Sequence, residues 1–548
     1  MSAVVEAREP SARYLAEAQP ALVRQFELLA TAPGGVARLR QFILKLATQG
    51  KLLRDSAKGS MAHYPGKAPL GEVDVHLPQL PIGWAWTALG EIVDILDSQR
   101  QPVKKENRRC GPYPYFGASG VVDHVDAYIF DEPLVLIGED GAKWGPGEAT
   151  AFMISGKSWV NNHAHVLRPH RERVIDRYLV VVLTAEDLSR YVTGMTVPKL
   201  NQSRLVSIPI PLPTIDEQAR IVARVDELMR LCDALEVKGR LEAEQHARLL
   251  GTLLGTLTDS STPEELAANW QRVADHFDLL LDRPEAVDAL EQTILQLAVR
   301  GLLVQNDPSD EPASALTGRI HSERQRLSMP KSQSREALSR LPTELFNLPA
   351  NWLWCALEDL VIAGPTNGLS PKPVDEPTGV RCLSLSATTL GHFRNECFKY
   401  VDLPLAAARP FRLKRGDLLL QRGNALEYVG IAAIYDQEDD EYIFPDLMIR
   451  VRLSAHVDVR YVHMWLICQD GRTYFQRNAT GTQGTMPKIN QSVVRATPIP
   501  LPPLNEQRRI VARIAELRRL CANLRQRLAA SQTTQSHLAE ALVDSAAA

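Results

Sequence analysis

Apolar positions in this chain change period at two places, and they do so in nearly the same words. In residues 208–228, IPIPLPTIDEQARIVARVDEL, Pro209, Pro211 and Pro213 alternate with Ile210 and Leu212. That alternation predicts an extended strap that cannot donate to a central sheet ladder. Beyond it Ile221, Val225, Leu228, Leu231 and Leu235 recur at helical spacing, and Thr214 with Glu217 fits a capping box. Residues 497–517, TPIPLPPLNEQRRIVARIAEL, repeat the pattern with 14 of 21 positions identical at an offset of 289. Pro503 there replaces the threonine, which the first helical turn tolerates. A duplication of this quality predicts two copies of one structural unit.

Further echoes fill in the unit. The helical pattern from Phe26 returns from Phe277 at offset 251, pairing Pro33 with Pro284, Gln41 with Gln292 and Gly50 with Gly301. The glycine is placed to end each helix as its C′ residue. Leu80-Pro81, Trp84 and Trp86 return as Leu348-Pro349, Trp352 and Trp354 at offset 268, with both tryptophans of each pair expected in the core. MTVPKLNQS (195–203) and GTMPKINQS (484–492) match at offset 289. The rising offsets give the second copy a longer linker and a longer body. The bodies, 93–194 and 361–483, alternate short apolar runs with Gly/Pro/Asn turns and do not align with each other. A retained frame around divergent contents is expected when the frame has one task and the contents recognise different things.

The expected fold class is α+β: two strand-rich α/β domains in a pseudo-twofold repeat, separated by long antiparallel coiled-coil-like helices. The expected divisions are an N-terminal helical region (1–58), a first body domain (77–213), a central helical spacer (214–304), a linker (305–344), a second body domain (345–502) and a distal helix (503–548). The spacer helix carries an apolar seam at Leu241, Leu249, Leu250, Leu253, Leu254 and Leu257, with residues 284–301 as its return partner. The linker reading rests on Asp307-Pro308 to Pro312 and a Ser/Arg-rich run.

Composition narrows the function classes. A chain of 548 residues is too long for one core. A net charge of −3 requires any basic surface to be local. Seven cysteines without a C-x-x-C pair argue against a disulfide framework or a zinc site, and Cys232 and Cys521 read as packed small hydrophobes. With no apolar run of membrane-spanning length and no signal-like start, no membrane partner is expected and the location expected is cytoplasmic.

The sequence holds no Asn/Asp-Pro-Pro-aromatic tetrapeptide, G-x-G-x-x-G turn or phosphate-cradling G-x-x-x-x-G-K-[ST] loop. Glu139, Asp140 and Lys143 lack the carboxylate-x-lysine spacing of a metal nuclease, and His163 with His165 has no third ligand in view, so no metal is expected. The residues present suit DNA reading, because Asn, Gln, Arg and Lys contact base edges and phosphate. Candidates in the first body are Lys104, Lys105, Arg108, Arg109, Lys143, Lys157, Asn161, Asn162 and His163. In the second they are Arg412, Lys414, Arg415, Arg422, Asn424 and Gln483. Lys199 with Asn201, and Lys488 with Asn490, recur in both copies and are assigned phosphate contact or a structural role alike.

The duplicated LP-x-x-W-x-W entry, the PK[LI]NQS segment and the P-L-P-x-x-x-EQ-x-RIVAR-[VI]-x-EL launch resemble the specificity (S) subunits of type I restriction-modification systems. WVNNHAHVLRP and GLLVQNDPSDEPAS add to the likeness, which covers nearly the whole chain. The resemblance implies two target recognition domains, each reading half of an asymmetric bipartite site in double-stranded DNA. It implies that the helices set the gap and dock two modification (M) subunits, with Glu217, Gln218, Arg220, Arg224, Glu506, Gln507, Arg509 and Arg513 as the docking candidates. It implies no catalytic residue and no cofactor in this chain, S-adenosylmethionine in the M partner of an adenine-N6 methyltransferase, and ATP and Mg in restriction (R) subunits. The competing classes are a helical adaptor and a single-chain nuclease or methyltransferase.

Overall fold

The computed structural model describes residues 32–53, 77–194, 198–260, 262–329, 346–481 and 486–547. The expected N-terminal helical region before residue 32 and at 54–58, the linker over 330–344, and Gln483 lie outside them. The chain divides into two compact units, residues 1–243 with 530–548, and residues 244–529. Helices of eight or more residues are α1 (Gly35–Thr48), α2 (Asp176–Ala185), α3 (Ile215–Thr258), α4 (Pro263–Asp275), α5 (Pro284–Val299), α6 (Ala313–Arg326), α7 (Val459–Ile467), α8 (Gln469–Arg477) and α9 (Leu504–Ala547).

The strap is a strand in both units. In the first, β1 (Ala85–Ala88) pairs antiparallel with the strap, Pro209–Leu212, setting Trp86 opposite Pro211. In the second, Leu353–Ala356 pairs with Pro498–Leu501, setting Trp354 opposite Pro500. Each pair forms its own two-stranded sheet, so the missing proline N–H groups cost no ladder bond. A body helix is tied to each strap: Tyr178 Oη donates to the Pro211 carbonyl, and Tyr461 Oη to that of Pro500, both at 2.6 Å.

The bodies, unalignable by sequence, share one topology. With β2 (Val93–Ile95), β3 (Tyr113–Gly117), β4 (Gly120–Val125), β5 (Phe130–Asp131), β6 (Leu134–Gly138), β7 (Ala151–Ile154), β8 (Lys157–Val160) and β9 (Ala164–Pro169), the first body makes sheets ordered β2-β9-β6-β7 and β4-β3-β8-β5. Numbering on through the strap as β10, the second entry strand as β11 and the second strap as β20, the second body holds β12 (Val361–Asn367), β13 (Pro373–Val374), β14 (Arg381–Leu383), β15 (Phe398–Val401), β16 (Leu418–Gln421), β17 (Ala432–Ile434), β18 (Tyr442–Ile443) and β19 (Met448–Leu453). Its sheets run β12-β19-β16-β17 and β13-β15-β14-β18. The first orders superpose strand for strand. In the second sheets the parallel pair β3·β8 answers to β14·β18, and only the fourth strand changes edge. Any aliphatic residue satisfies a strand buried on both faces, so identity can drift while order is kept. The added length of the second body lies largely between β14 and β16, where residues 384–397 replace the two-residue turn between β3 and β4.

Within unit 1, α1 packs Leu39, Phe42 and Leu46 against Ile221, Val225, Leu228 and Cys232 of α3, and Ala539 of α9 joins the same core. Within unit 2, α5 packs Leu290, Ile294 and Leu297 against Ile510, Ile514 and Cys521 of α9, with Leu250, Leu254 and Leu257 of α3. The polar edge of this contact is inverted between the copies. Arg40 on α1 meets Asp233 and Glu236 at 2.6 and 3.2 Å, whereas Asp288 and Glu291 on α5 meet Arg525 at 2.7 and 2.9 Å.

Two expectations need correcting. Leu241 and Leu249 are 52% and 54% exposed, so the seam of α3 is covered only from Leu250 onward. Residues 313–326, expected as linker, form α6 with Ala313, Leu316, Ile320 and Arg324 buried. The apolar residues are spaced for one helical face, and the charged composition around them hid it. Arg324 donates to the Glu358 and Val361 carbonyls.

A buried glutamine joins each body to its launching helix. Gln218 accepts from Ile175 N–H at 2.8 Å and donates to the Arg173 and Pro213 carbonyls. Gln507 accepts from Asp458 N–H and donates to Pro502, both at 2.9 Å. Gln218→Leu or Gln507→Leu strands these groups and is expected to destabilise its own unit by roughly 1–3 kcal/mol. Chemical denaturation followed unit by unit checks it; an unchanged midpoint would remove the glutamines from the joint.

Candidate nucleic-acid interface

Three loops meet at one end of the first body's β2-β9-β6-β7 sheet. Glu139, just past β6, donates its N–H to the His163 carbonyl and accepts from Leu200 N–H on its own carbonyl, while Asp140 bridges Lys199. Asn161, Asn162, His163, Lys199 and the β6–β7 loop with Lys143 therefore belong to one surface. The second body repeats the arrangement: Arg422 donates its N–H to Leu447 and accepts from Ile489, Gly423 bridges Lys488, and Asn424 N–H reaches the Pro487 carbonyl. Arg422, Asn424, Lys488 and Asn490 are thus the counterparts. The frame presents the same loop positions with different residues, Glu139 in one unit and Arg422 in the other.

Beneath the first surface lies an ion network that sequence reading missed. Arg100 Nη1 reaches Glu139 at 2.5 Å, Lys199 Nζ reaches it at 2.6 Å, and His165 contacts Asp97 at 2.5 Å and the Leu200 carbonyl at 2.6 Å. Burial pushes the Glu139 carboxyl pKa up, but Lys199 and Arg100 more than offset this and hold it below its ordinary value. Asp97, Glu139 and His165 present ligand atoms within 4.8 Å of one another. Two cations already hold Glu139, however, and the outer nitrogen of His165 is taken by a backbone carbonyl. The donor set fits a clamp that fastens the PKLN loop to the sheet better than a metal site. With its folded pKa lowered, Glu139 stabilises fully above 4.5, the ordinary glutamate value, and loses that contribution as pH falls through the folded pKa. The stability difference between wild type and Glu139→Gln is expected to shrink steadily as pH drops from about 5 toward about 3; a constant difference would contradict the clamp.

Among the described residues the second body has no ion clamp at this place. Gln421, buried at the end of β16, donates to the Leu385 carbonyl at 2.9 Å and lies 3.1 and 3.0 Å from the Thr388 and Thr389 hydroxyls; Asn424 Nδ2 donates to its Oε1 at 2.7 Å. The residues inserted after β14 supply these hydroxyls, a role that no spacing in the sequence signals.

The remaining candidates sort by how free they are. Lys104, Lys105 and Arg109 are exposed on the β3–β4 side, as are Lys143, Asn162 and Lys488 on theirs. His163, half exposed, pairs with Asp140 at 2.5 Å. Arg108 is committed to Asp123 at 3.0 Å and lies 4.4 Å from the Tyr115 ring centroid. Lys157 stands 4.6 Å over the Tyr128 ring. Asn161 is buried and accepts from His163 N–H. Asn201 donates to Thr193, and Asn490 accepts from Val493 N–H as the N-cap of a short helix, a structural role. Arg422 keeps one reach to the Asp446 carbonyl at 3.3 Å. The Arg412, Lys414 and Arg415 group is laced to acids. Lys414 meets Asp439 and Asp440, Arg415 meets Glu438, and Arg412 donates to the Asp440, Glu441 and Gly379 carbonyls. That loop is nearly self-neutral and offers little to phosphate.

Of the docking candidates, Gln218, Gln507 and Glu506 have no exposed surface, and burial raises the Glu506 pKa. Their place is the joint. Arg509 pairs with Asp310 at 2.6 Å, Arg224 with Glu227 and Arg513 with Glu516 at 2.7 Å each, while Glu217 and Arg220 keep solvent contact.

The family model for the type I restriction modification DNA specificity domain matches residues 81–245 and 387–530, one span in each copy of the duplicated frame. The chain belongs to this family. As a type I specificity subunit it supplies DNA recognition, and the paired loop surfaces are where its two copies differ. The specificity subunit of the type I restriction enzyme EcoAI from Escherichia coli is 30% identical, over 93% of this chain and 94% of the relative. That of EcoEI, also from Escherichia coli, is 28% identical with the same coverage. Among solved structures, the HsdS subunit from Thermoanaerobacter tengcongensis is 16% identical with a TM-score of 0.36, covering 85% of this chain and 97% of that one. No helix among the described residues of this specificity subunit is long and apolar enough to cross a membrane.

Proposed function

We propose that each body of this specificity subunit reads one half of an asymmetric, bipartite sequence in double-stranded DNA. The observation that carries the reading is the pair of loop surfaces, built around the shared Lys199 and Lys488 yet carrying different residues at equivalent positions such as Glu139 and Arg422. Asn162, Lys143 and Lys199 would face DNA from the first body, and Arg422, Asn424 and Lys488 from the second, with Lys104, Lys105 and Arg109 reaching phosphate. The long helices set the gap between half-sites and dock two M subunits carrying S-adenosylmethionine, which methylate adenine at N6. R subunits with ATP and Mg would add cleavage. The chain itself is non-catalytic, needs no cofactor and works in the cytoplasm.

Reconstitution tests this. Purified alone, the chain is expected to bind DNA weakly and transfer no methyl group. With M subunit and S-adenosylmethionine it is expected to direct methylation, with binding that weakens steeply as salt rises. Methyl transfer by the chain alone, or salt-insensitive binding without sequence preference, would overturn the proposal.

A further inference from the structure

The hairpin of β3 and β4 turns beside the first body's candidate surface. Strand β3 pairs in parallel with β8, and the Asn161 N–H that follows β8 donates to the Phe116 carbonyl at 3.0 Å. Gly117, next along β3, is buried, and a Cβ there would lie 3.0 Å from Val122 Cγ1 and 3.4 Å from Asn161 Nδ2. Val122 and Asn161 therefore flank the same stretch of bare backbone. The turn itself rests on Gly138, whose missing Cβ would lie 3.0 Å from the Ala118 carbonyl oxygen, and Gly138 leads directly into Glu139 and Asp140. The hairpin tip is thus a fourth member of the surface that carries Asn162, Lys143 and Lys199.

A regular strand would turn Val121 and Val122 to opposite faces. Strand β4 does not: Phe116 pairs with Val121 and Tyr115 with Asp123, which leaves Val122 as the extra residue of a bulge. Bulges re-aim side chains next to functional surfaces. Here both valines end exposed, at 50% and 56%. Their branched side chains are stiff, so pressing them against a partner costs little rotamer freedom. The free edge of β4 is a poor template for another strand, because the bulge interrupts its ladder and Asp123 and Asp126 place charge along it. Asn162, Lys143 and Lys199 beside the hairpin offer hydrogen bonds and charge, the means of reading base edges and phosphate. The apolar group that DNA bases present in the major groove is the 5-methyl of thymine, and an apolar side chain is what recognises it.

We propose that Val121 and Val122 are specificity-determining residues of the first body and close on the 5-methyl group of a thymine in its half-site. The inference deepens the reading that each body recognises one half of the target, and rests on it. The test uses the full-length chain assembled with its M subunit and a duplex bearing its methylated sequence. Each thymine of the site is replaced in turn by deoxyuridine, which removes the methyl group and nothing else, and binding is measured by competition. Wild type is expected to lose about threefold to tenfold in affinity at one thymine of one half-site. The Val121→Ser, Val122→Ser double variant is expected to bind the thymine and deoxyuridine duplexes alike, at the wild-type level for deoxyuridine, which also shows that it is folded. Binding by wild type that ignores every replacement, or a preference for thymine that survives in the double variant, would overturn the proposal and leave the half-site reading standing. Absence of any sequence preference in the wild-type complex would overturn both. Self-association of the wild-type chain that the double variant abolishes, with no discrimination against deoxyuridine, would assign the valines to a second copy of the chain and overturn the proposal.

Discussion

Gly50→Val is expected to destabilise unit 1 by roughly 3–5 kcal/mol, adding left-handed strain to overpacking. Gly50 ends α1 at φ 65°, a conformation that β-branched residues avoid, and a Cβ there would lie 2.4 Å from the Pro81 ring and 3.2 Å from Trp84. Neither neighbour can yield, since Trp84 is 2% exposed and Pro81 begins the entry to β1. Gly301 repeats the arrangement in unit 2, at φ 75° and 2.6 Å from Pro349. Gly34 is the control. Its φ is 68° but nothing lies within 4 Å of its missing Cβ, so Gly34→Ala should cost only about 1 kcal/mol. Thermal melting should show the first unit's transition falling by about 10 °C for Gly50→Val and by a few degrees for Gly34→Ala. Equal shifts would mean that the glycine serves backbone freedom alone and not the seating of the entry strand.

The second large effect concerns recognition. Replacing residues 93–194 by the corresponding body of a relative with another specificity should move one half of the target and leave the other intact. Binding to the original site should fall by a factor on the order of 10³ or more, toward the non-specific level. The exchange should be tolerated because the frame keeps its side of the joint: Gln218 bonds the backbone of residues 173 and 175, which any incoming body of the same topology supplies. Leu89 and Gly90 N–H groups donate to the Ile208 and Val206 carbonyls, and Leu357 N–H to that of Thr497 in the other unit, so the incoming body meets backbone that does not depend on its loops. Electrophoretic mobility shifts of the assembled complex on the two parental sites and one hybrid site would measure this. Retained preference for the original site would show that the bodies do not carry the specificity.

Sequence pattern revealed the frame because the frame's chemistry is unforgiving. A proline strap opposite a tryptophan strand, a left-handed glycine pressed on a proline ring and a buried glutamine bonded to backbone on both sides of the joint each admit one residue type, so both copies kept it. The bodies were opaque for the opposite reason. Residues 134–138 and 418–420 are buried throughout and need only be apolar, so their shared topology left no shared spelling. Helix α6 was hidden by its charged face. The clamp of Arg100, Glu139, His165 and Lys199 draws on four separated stretches, and nothing local to any of them announces it. Among the candidate contacts, exposure separated Lys104, Lys143 and Lys488 from Arg108, Arg412 and Lys414, whose charges are already met within the fold.

Methylome sequencing of cells that express this chain with its M subunit tests the central claim most directly. One asymmetric motif is expected, two different half-sequences separated by a gap of fixed length and indifferent composition, with a methylated adenine in each half. A single uninterrupted motif, or a symmetric one with identical halves, would contradict it.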